Sequence, residues 1–369
     1  MRAVPLLVFA DDWGRHPSSA QHLVGQLLPR RRVSWVNTIG TRKPRLDLAT
    51  LKRGFEKLRH WSRPTGEPLP PNLTVLNPRM WPWFSHSWDR AVNRRLLAKQ
   101  LRRAIHEPPV VITALPLTAE LVGEIPAAKW VYYCVDDFGA WPGLDGAALR
   151  KMEQQLVAKV DRVIAVSETL RQRLKALGRD SELLTHGVDP GFWQSAGGPL
   201  PEFQHLPKPL FVFWGVIDRR MDTEFVRQLA AAKLGTVLLV GPQNDPDPEL
   251  LKLPVTIAPP LPLSKLPALA RMVDVLVMPY ADLPVTRAIQ PLKLKEYLAT
   301  GLPVVVRDLP ANRDWADCLD LADSPTAFVA AVKRRLAAGV PDSQRLARQR
   351  LDVESWAEKA RYLEHWIDS

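Results

Sequence analysis

The chain has 369 residues, 46% of them hydrophobic, with a net charge of +11. That length is enough for two domains with cores of their own, and the composition is that of an ordinary globular protein. No apolar run is long enough for a transmembrane helix. Two widely separated cysteines, Cys134 and Cys318, make neither a disulfide framework nor a zinc site and fit a reducing cytoplasm.

The charge is uneven. Residues 1–130 hold 21 Lys and Arg against 9 Asp and Glu, and the remainder holds 29 against 30. The first part is therefore expected to face something anionic: a membrane surface, a lipid diphosphate or nucleic acid.

Val4 to Ala10 reads as a buried first strand rather than a secretory signal, because its short apolar run ends in Asp11-Asp12. The loop Asp11–Gln21 follows, with Ser18 or Ser19 capping a helix to about Leu28. Gly14 allows close backbone approach to a ligand, and Arg15 and His16 can contact phosphate or move a proton. A plain strand-to-helix turn would look the same. Adjacent aspartates do not define a metal site and are expected to cap or be solvated. Val33–Asn37 is a second strand, a basic stretch with a helix near Leu48–Trp61 follows, and then comes the stretch Leu73–Asn77. Next come Trp81, Trp83 and Trp88, then a helix with Arg90, Arg94, Arg95, Lys99, Arg102 and Arg103. Tryptophans flanking a basic helix suit a membrane interface or an acceptor-lipid cleft. They also suit base stacking, or a packed loop with a solvated helix face.

Val110–Ala114 and Trp130–Val135 are predicted strands, the latter ending in Asp136-Asp137. Open α/β sheets place chemistry at such strand ends, and capping is the plainer role there. A helix near Gly146–Lys159, a strand from Asp161 with Ser167 as the next N-cap, and Leu183–Asp189 complete a first domain, 1–190. Residues 191–209 are Pro-rich and read as a linker. The second domain, 210–350, opens on the strand Leu210–Gly215, followed by Arg219 and Arg220. Thr236–Pro242, containing Gly241, is a strand and turn; Leu263–Ala270 is a short helix and Val273–Tyr280 a strand. Residues 281–290 form a loop with Asp282, Arg287 and Gln290; helices follow near Thr326–Ala338 and Ser343–Arg350, and residues 351–369 form a terminal helix. The alternation predicts two doubly wound parallel α/β domains.

The stretch Pro291–Val306 organises the second domain. Pro291 suits a first helical position, Gly301 a left-handed helix stop before Pro303, and Val304–Val306 a buried strand. Helical spacing puts Leu294, Tyr297 and Leu298 on one face and Lys293, Glu296 and Thr300 on another. A helix N-terminus, a lysine and a carboxylate side by side suit a nucleoside diphosphate. A solvated Lys/Glu face gives the same pattern.

Residues 291–305, Pro-Leu-Lys-Leu-Lys-Glu-Tyr-Leu-Ala-Thr-Gly-Leu-Pro-Val-Val, resemble the donor-site segment of bacterial retaining glycosyltransferases with the GT-B fold, of the family 4-like teichuronic acid and exopolysaccharide type. Asp161-Arg-Val-Ile-Ala-Val-Ser167 followed by His186-Gly-Val-Asp189 resembles the end of their acceptor domain. The resemblance implies two Rossmann-like domains facing a cleft, with the terminal helix crossing back to the first. It implies Glu296 on the donor ribose, and Arg220, then Arg219, on the diphosphate. Gly14, Gly215, Gly241, Gln290, Pro291, Leu292 and Lys293 would complete the donor site. Many members carry a second glutamate eight residues earlier, where this chain has Ala288. A UDP- or GDP-linked sugar is implied as substrate, with no metal or other cofactor. The acceptor, a glycan that is lipid-linked, would meet the first domain through Trp81, Trp83, Trp88, Arg94 and Arg95. Asp136, Asp137 and His16 are the candidates for proton transfer. A monomer working at the inner face of the cell membrane, with no nucleic-acid partner, is expected. A nucleotide-sugar epimerase of the same fold, or a non-catalytic glycan- or nucleic-acid-binding protein, stays open beside this reading.

Overall fold

The computed structural model describes residues 3–14, 18–38, 69–195, 197–198 and 200–369. The helix expected near Leu48–Trp61 and the candidate His16 lie outside the described residues. The chain divides into two compact units, Met1–Thr185 with Lys359–Ser369, and His186–Glu358.

In the first unit, β1 (Leu6–Phe9), β2 (Val33–Val36), β3 (Leu73–Leu76), β4 (Val110–Thr113), β5 (Lys129–Cys134), β6 (Arg162–Ala165) and β7 (Glu182–Leu183) form one sheet. Their order is β3-β2-β1-β4-β5-β6-β7 and every pairing is parallel. β1 and β4 are buried along their whole length, as strands covered by helices on both faces must be. Ser18 is the N-cap of the helix Ser19–Leu27, accepting from the Gln21 N–H, and Ser167 caps Glu168–Ala176 in the same way. The end of the chain belongs to this unit too. The buried Arg31 pairs with Glu364 at 3.1 Å and with Asp368, and Arg30 reaches Glu364 at 2.9 Å.

The second unit holds β8 (Leu210–Trp214), β9 (Thr236–Val240), β10 (Thr256–Ala258), β11 (Val275–Met278), β12 (Val304–Arg307) and β13 (Asp320–Ala322). They are all parallel, in the order β10-β9-β8-β11-β12-β13. In both sheets the winding reverses beside the first strand, between β1 and β4 and between β8 and β11. Such a reversal opens a crevice at the strands' carboxyl ends.

The stretch read as a linker is part of this unit. Val188, Trp193, Leu200 and Phe203 are buried in its core, and Pro190–Gln194 is a short helix capped by Asp189. The division between units therefore falls at Thr185–His186 rather than at 190, and the second unit runs on to Glu358. Two further features depart from the sequence reading. The edge strands β10 and β13 carry no apolar run, and Pro284–Ala288, expected as loop, is a single helical turn.

Candidate functional site

The crevice of the second sheet is built from glycines. Gly215 ends β8 with φ +145° and Gly241 ends β9 with φ +155°, a region few side chains tolerate. A Cβ on Gly241 would lie 1.8 Å from the Gly215 carbonyl oxygen, and one on Gly215 would lie 2.5 Å from Cε of Lys293. Only glycine at both positions lets the two turns close on each other and lets the lysine stem cross the strand ends.

Lys293 comes from the helix Leu292–Ala299. Pro291 is its N-cap, with extended backbone, one position earlier than expected, and makes no side-chain cap hydrogen bond; the Leu294 N–H donates to its carbonyl at 3.1 Å, while the amides of Leu292 and Lys293 precede the first intrahelical bond. Gly301, at φ +78°, ends the helix. Leu294, Tyr297 and Leu298 anchor its inner face. Lys295 is buried as well and bonds the His186 carbonyl and the Glu354 carboxylate.

The outer face carries Lys293 and Glu296. The Lys293 ammonium donates to the Tyr280 hydroxyl at 2.8 Å and lies 5.4 and 5.6 Å from the ring centres of Tyr280 and Phe213. Glu296, one turn on, is half-buried, and burial pushes its carboxyl up to about 7 against the opposing pull of Lys293 and Trp214. The Trp214 indole N–H approaches its carboxylate at 3.4 Å. Trp214 is itself fixed: its backbone N–H donates to the Tyr297 hydroxyl at 3.0 Å, and its ring stacks on Trp193 at 5.6 Å.

Arg220 joins this group through Tyr280, whose ring centre is 5.8 Å from the guanidinium carbon. The buried Asp218 grips it at 2.9 to 3.1 Å and so fixes its orientation. That pairing also offsets the arginine's charge, which leaves Lys293 as the stronger net attraction for an anion. Arg219 lies outside, exposed and paired with Asp245 at 3.1 Å. The Gln290 carbonyl oxygen accepts from the His186 backbone N–H, so this residue, expected to read a sugar, ties down the start of the unit. Ala288 is buried at the end of its short helix, and Asp282 and Arg287 pair with each other at 2.5 and 2.8 Å. Sequence reasoning missed Tyr280, Trp214 and Asp218. The visible signal was an aromatic at the close of each of two buried strand runs.

In the first unit, Gly14 adopts φ +74° after β1 and donates to the Gln21 side chain at 3.2 Å; the same side chain donates to Asp11 at 2.9 Å. Asp136 and Asp137 follow β5, and an Asp137 oxygen is 3.7 Å from Arg173, which is held by the buried Glu153 at 2.5 and 2.7 Å. Trp81, Trp83 and Trp88 cluster, with centroid distances from Trp81 of 4.8 and 5.8 Å. Trp81 is pinned by Asp89 at 2.8 Å, whereas Trp88 is 56% exposed. On the helix Ser87–Ala104, Arg94 pairs with Glu124 at 2.8 Å and Arg95 is exposed. Arg94, Arg95, Lys99 and Arg102 line one groove. Among the described residues no group of three or more His, Cys, Asp or Glu is gathered as a metal ion requires.

No family model matches the chain. It is 27% identical over 205 residues to TuaH of Bacillus subtilis, a protein named for a glycosyltransferase role in teichuronic acid biosynthesis. The match covers 51% of each, so the chain spans about half the length of this curated relative. Solved structures are similar over nearly the whole chain. HepE of Anabaena, in complex with UDP and glucose, has a TM-score of 0.69 at 14% identity, over 99% of this chain and 100% of that one. An E. coli structure bound with UDP-2-fluoro glucose has 0.70 at 13%, over 99% of each. A UDP-forming α,α-trehalose-phosphate synthase of Burkholderia xenovorans has 0.69 at 13%, over 100% and 99%. Two parallel-sheet domains with these neighbours over their full length give this chain the GT-B α/β fold.

Proposed function

We propose that the protein is a glycosyltransferase that moves a hexose from a UDP-linked donor to a glycan acceptor. One observation carries the reading: Lys293 and Glu296 stand side by side at the winding reversal of the second sheet, over strand ends cleared by Gly215 and Gly241. The ammonium and the amides of the helix start meet the diphosphate, and the Glu296 carboxylate accepts from the ribose hydroxyls. Arg220 adds a fixed fork of donors. The name of the B. subtilis relative and the UDP complexes of the fold neighbours support the donor class.

The finer reading rests on the resemblance of residues 291–305 to the donor-site segment of retaining glycosyltransferases. Transfer retains the sugar's configuration, the departing phosphate takes the acceptor proton, and Lys293 with Arg220 neutralises the diphosphate without a metal or other cofactor. The acceptor is lipid-linked, and the basic first unit meets it at the inner face of an anionic membrane, the protein acting as a monomer. Support comes from the exposed Trp88, Leu96, Arg95, Lys99 and Arg103 along one helix. The exposed indole suits the headgroup level, and the cations suit anionic lipid.

Calorimetric titration with UDP, GDP and ADP tests the donor site. The wild type is expected to prefer UDP, and Glu296→Ala to weaken it by about 10–100-fold, the loss of a hydrogen bond to a charged group. Failure of the wild type to bind any nucleotide would overturn the reading. Ala288 favours one alternative, a nucleotide-sugar-binding protein without turnover. It would bind UDP-glucose yet release no UDP when acceptor-bearing membrane extract is added.

A further inference from the structure

Lys293 is held in an unusual way. Among the described residues its ammonium makes no ion pair, and Glu296, one turn on, acts on it only at longer range. It rests on the Tyr280 hydroxyl at 2.8 Å and lies 5.6 Å from the ring centre of Phe213, which packs edge to face with Tyr280 6.0 Å apart. Tyr280 is 2% exposed and follows β11, the strand across the winding reversal from β8. Pairing of β11 with β8 brings the ring beside Phe213 at the end of β8, where the lysine stem passes Gly215. A neutral hydroxyl and the Phe213 ring hold a cation without neutralising it, whereas a paired carboxylate would cancel the charge that an incoming anion needs.

We propose that Tyr280 is a positioning residue for the diphosphate of the donor: its hydroxyl aims Lys293 across Gly215 while leaving the ammonium's charge available. This rests on the donor-site reading above. A lysine stem has four rotatable bonds, and ordering it at the moment of binding costs affinity. With the stem ordered in advance, that cost falls outside the binding step. The effect is specific to phosphate, because Lys293 is placed for the diphosphate and not for the nucleoside.

The test is a double-mutant cycle between Tyr280→Phe and Lys293→Ala, read by titration calorimetry with UDP and with uridine on the full chain. Tyr280→Phe keeps the buried ring and loses one oxygen; its melting temperature is expected within a few degrees of wild type. UDP affinity is expected to fall about tenfold, as for one lost hydrogen bond to a charged group. Uridine affinity is expected to be unchanged. In the Lys293→Ala background the tyrosine change is expected to have less than about a twofold further effect, because its partner is gone. Equal UDP affinity in Tyr280→Phe and wild type would overturn the proposal and leave the donor site standing. Equal losses for uridine and UDP, or a full further loss in the Lys293→Ala background, would overturn it in favour of a purely structural role. Absence of UDP binding by the wild type would instead remove the donor reading, and the proposal with it. Were Tyr280→Phe unable to fold, Phe213→Leu in the same cycle reads the other wall of the cradle, and unchanged UDP affinity there would overturn the aromatic hold.

Discussion

Glu296 sits where its charge is costly. Burial raises its carboxyl to about 7, from an ordinary value of 4.5. Between those values the folded protein keeps a proton that the unfolded chain has released, so stability falls as pH rises through this window. Glu296→Gln has no such proton to lose. It is expected to be more stable than wild type at pH 8 by about 1–2 kcal/mol, the shift discounted for partial exposure, and to converge with it near pH 5. Denaturant unfolding at the two pH values checks this, and an equal gap at both would contradict it. If Glu296 binds the donor as proposed, the empty form is destabilised by the group that serves binding, a balance between stability and function. The residues that create this environment were the least legible ones. Glu296 and Lys293 could be singled out by helical spacing and by resemblance. Trp214 and Tyr280 could not, because their roles depend on β8 and β11 being neighbours, which the order of the chain does not reveal.

At the scale of elements, the second unit's site is a set of strand ends kept open by small residues. Gly241 and Gly301 separate two causes of intolerance. Both have positive φ, yet a Cβ on Gly301 meets nothing within 4 Å, whereas one on Gly241 meets backbone at 1.8 Å. Gly301→Ala is expected to cost about 1–2 kcal/mol, the left-handed penalty alone. Gly241→Ala is expected to cost at least about 3 kcal/mol, with loss of UDP binding, since backbone must move. Equal costs in thermal unfolding would contradict the close approach of the two turns. Most elements were legible because strands buried on both faces read as apolar runs and their helices carry plain caps such as Ser167 and Ser324. β10 and β13 were not. Each is three residues long at a sheet edge, only partly covered, and so needs no continuous apolar run. Pro291 differs by one position because a proline without a donor suits the cap as well as the first turn.

At the scale of the whole molecule, both units have the same winding, and the uneven charge separates what they offer. The first unit's exposed Trp88, Arg95, Lys99 and Arg103 lead to a membrane prediction. Flotation with vesicles rich in anionic phospholipid is expected to carry the protein, and neutral vesicles to leave it behind. Reversing Arg95, Lys99 and Arg103 to Glu is expected to weaken binding at least about 100-fold, at roughly 1 kcal/mol per basic residue. Unchanged flotation of the triple variant would contradict the assigned face. The central claim, however, is the donor site of the second unit, and a crystal structure with UDP tests it most directly. The diphosphate is expected at the start of the helix Leu292–Ala299, in hydrogen-bond contact with Lys293, and the ribose hydroxyls on Glu296. Well-ordered UDP bound away from Gly215, Lys293 and Glu296, or no UDP at saturating concentration, would contradict it.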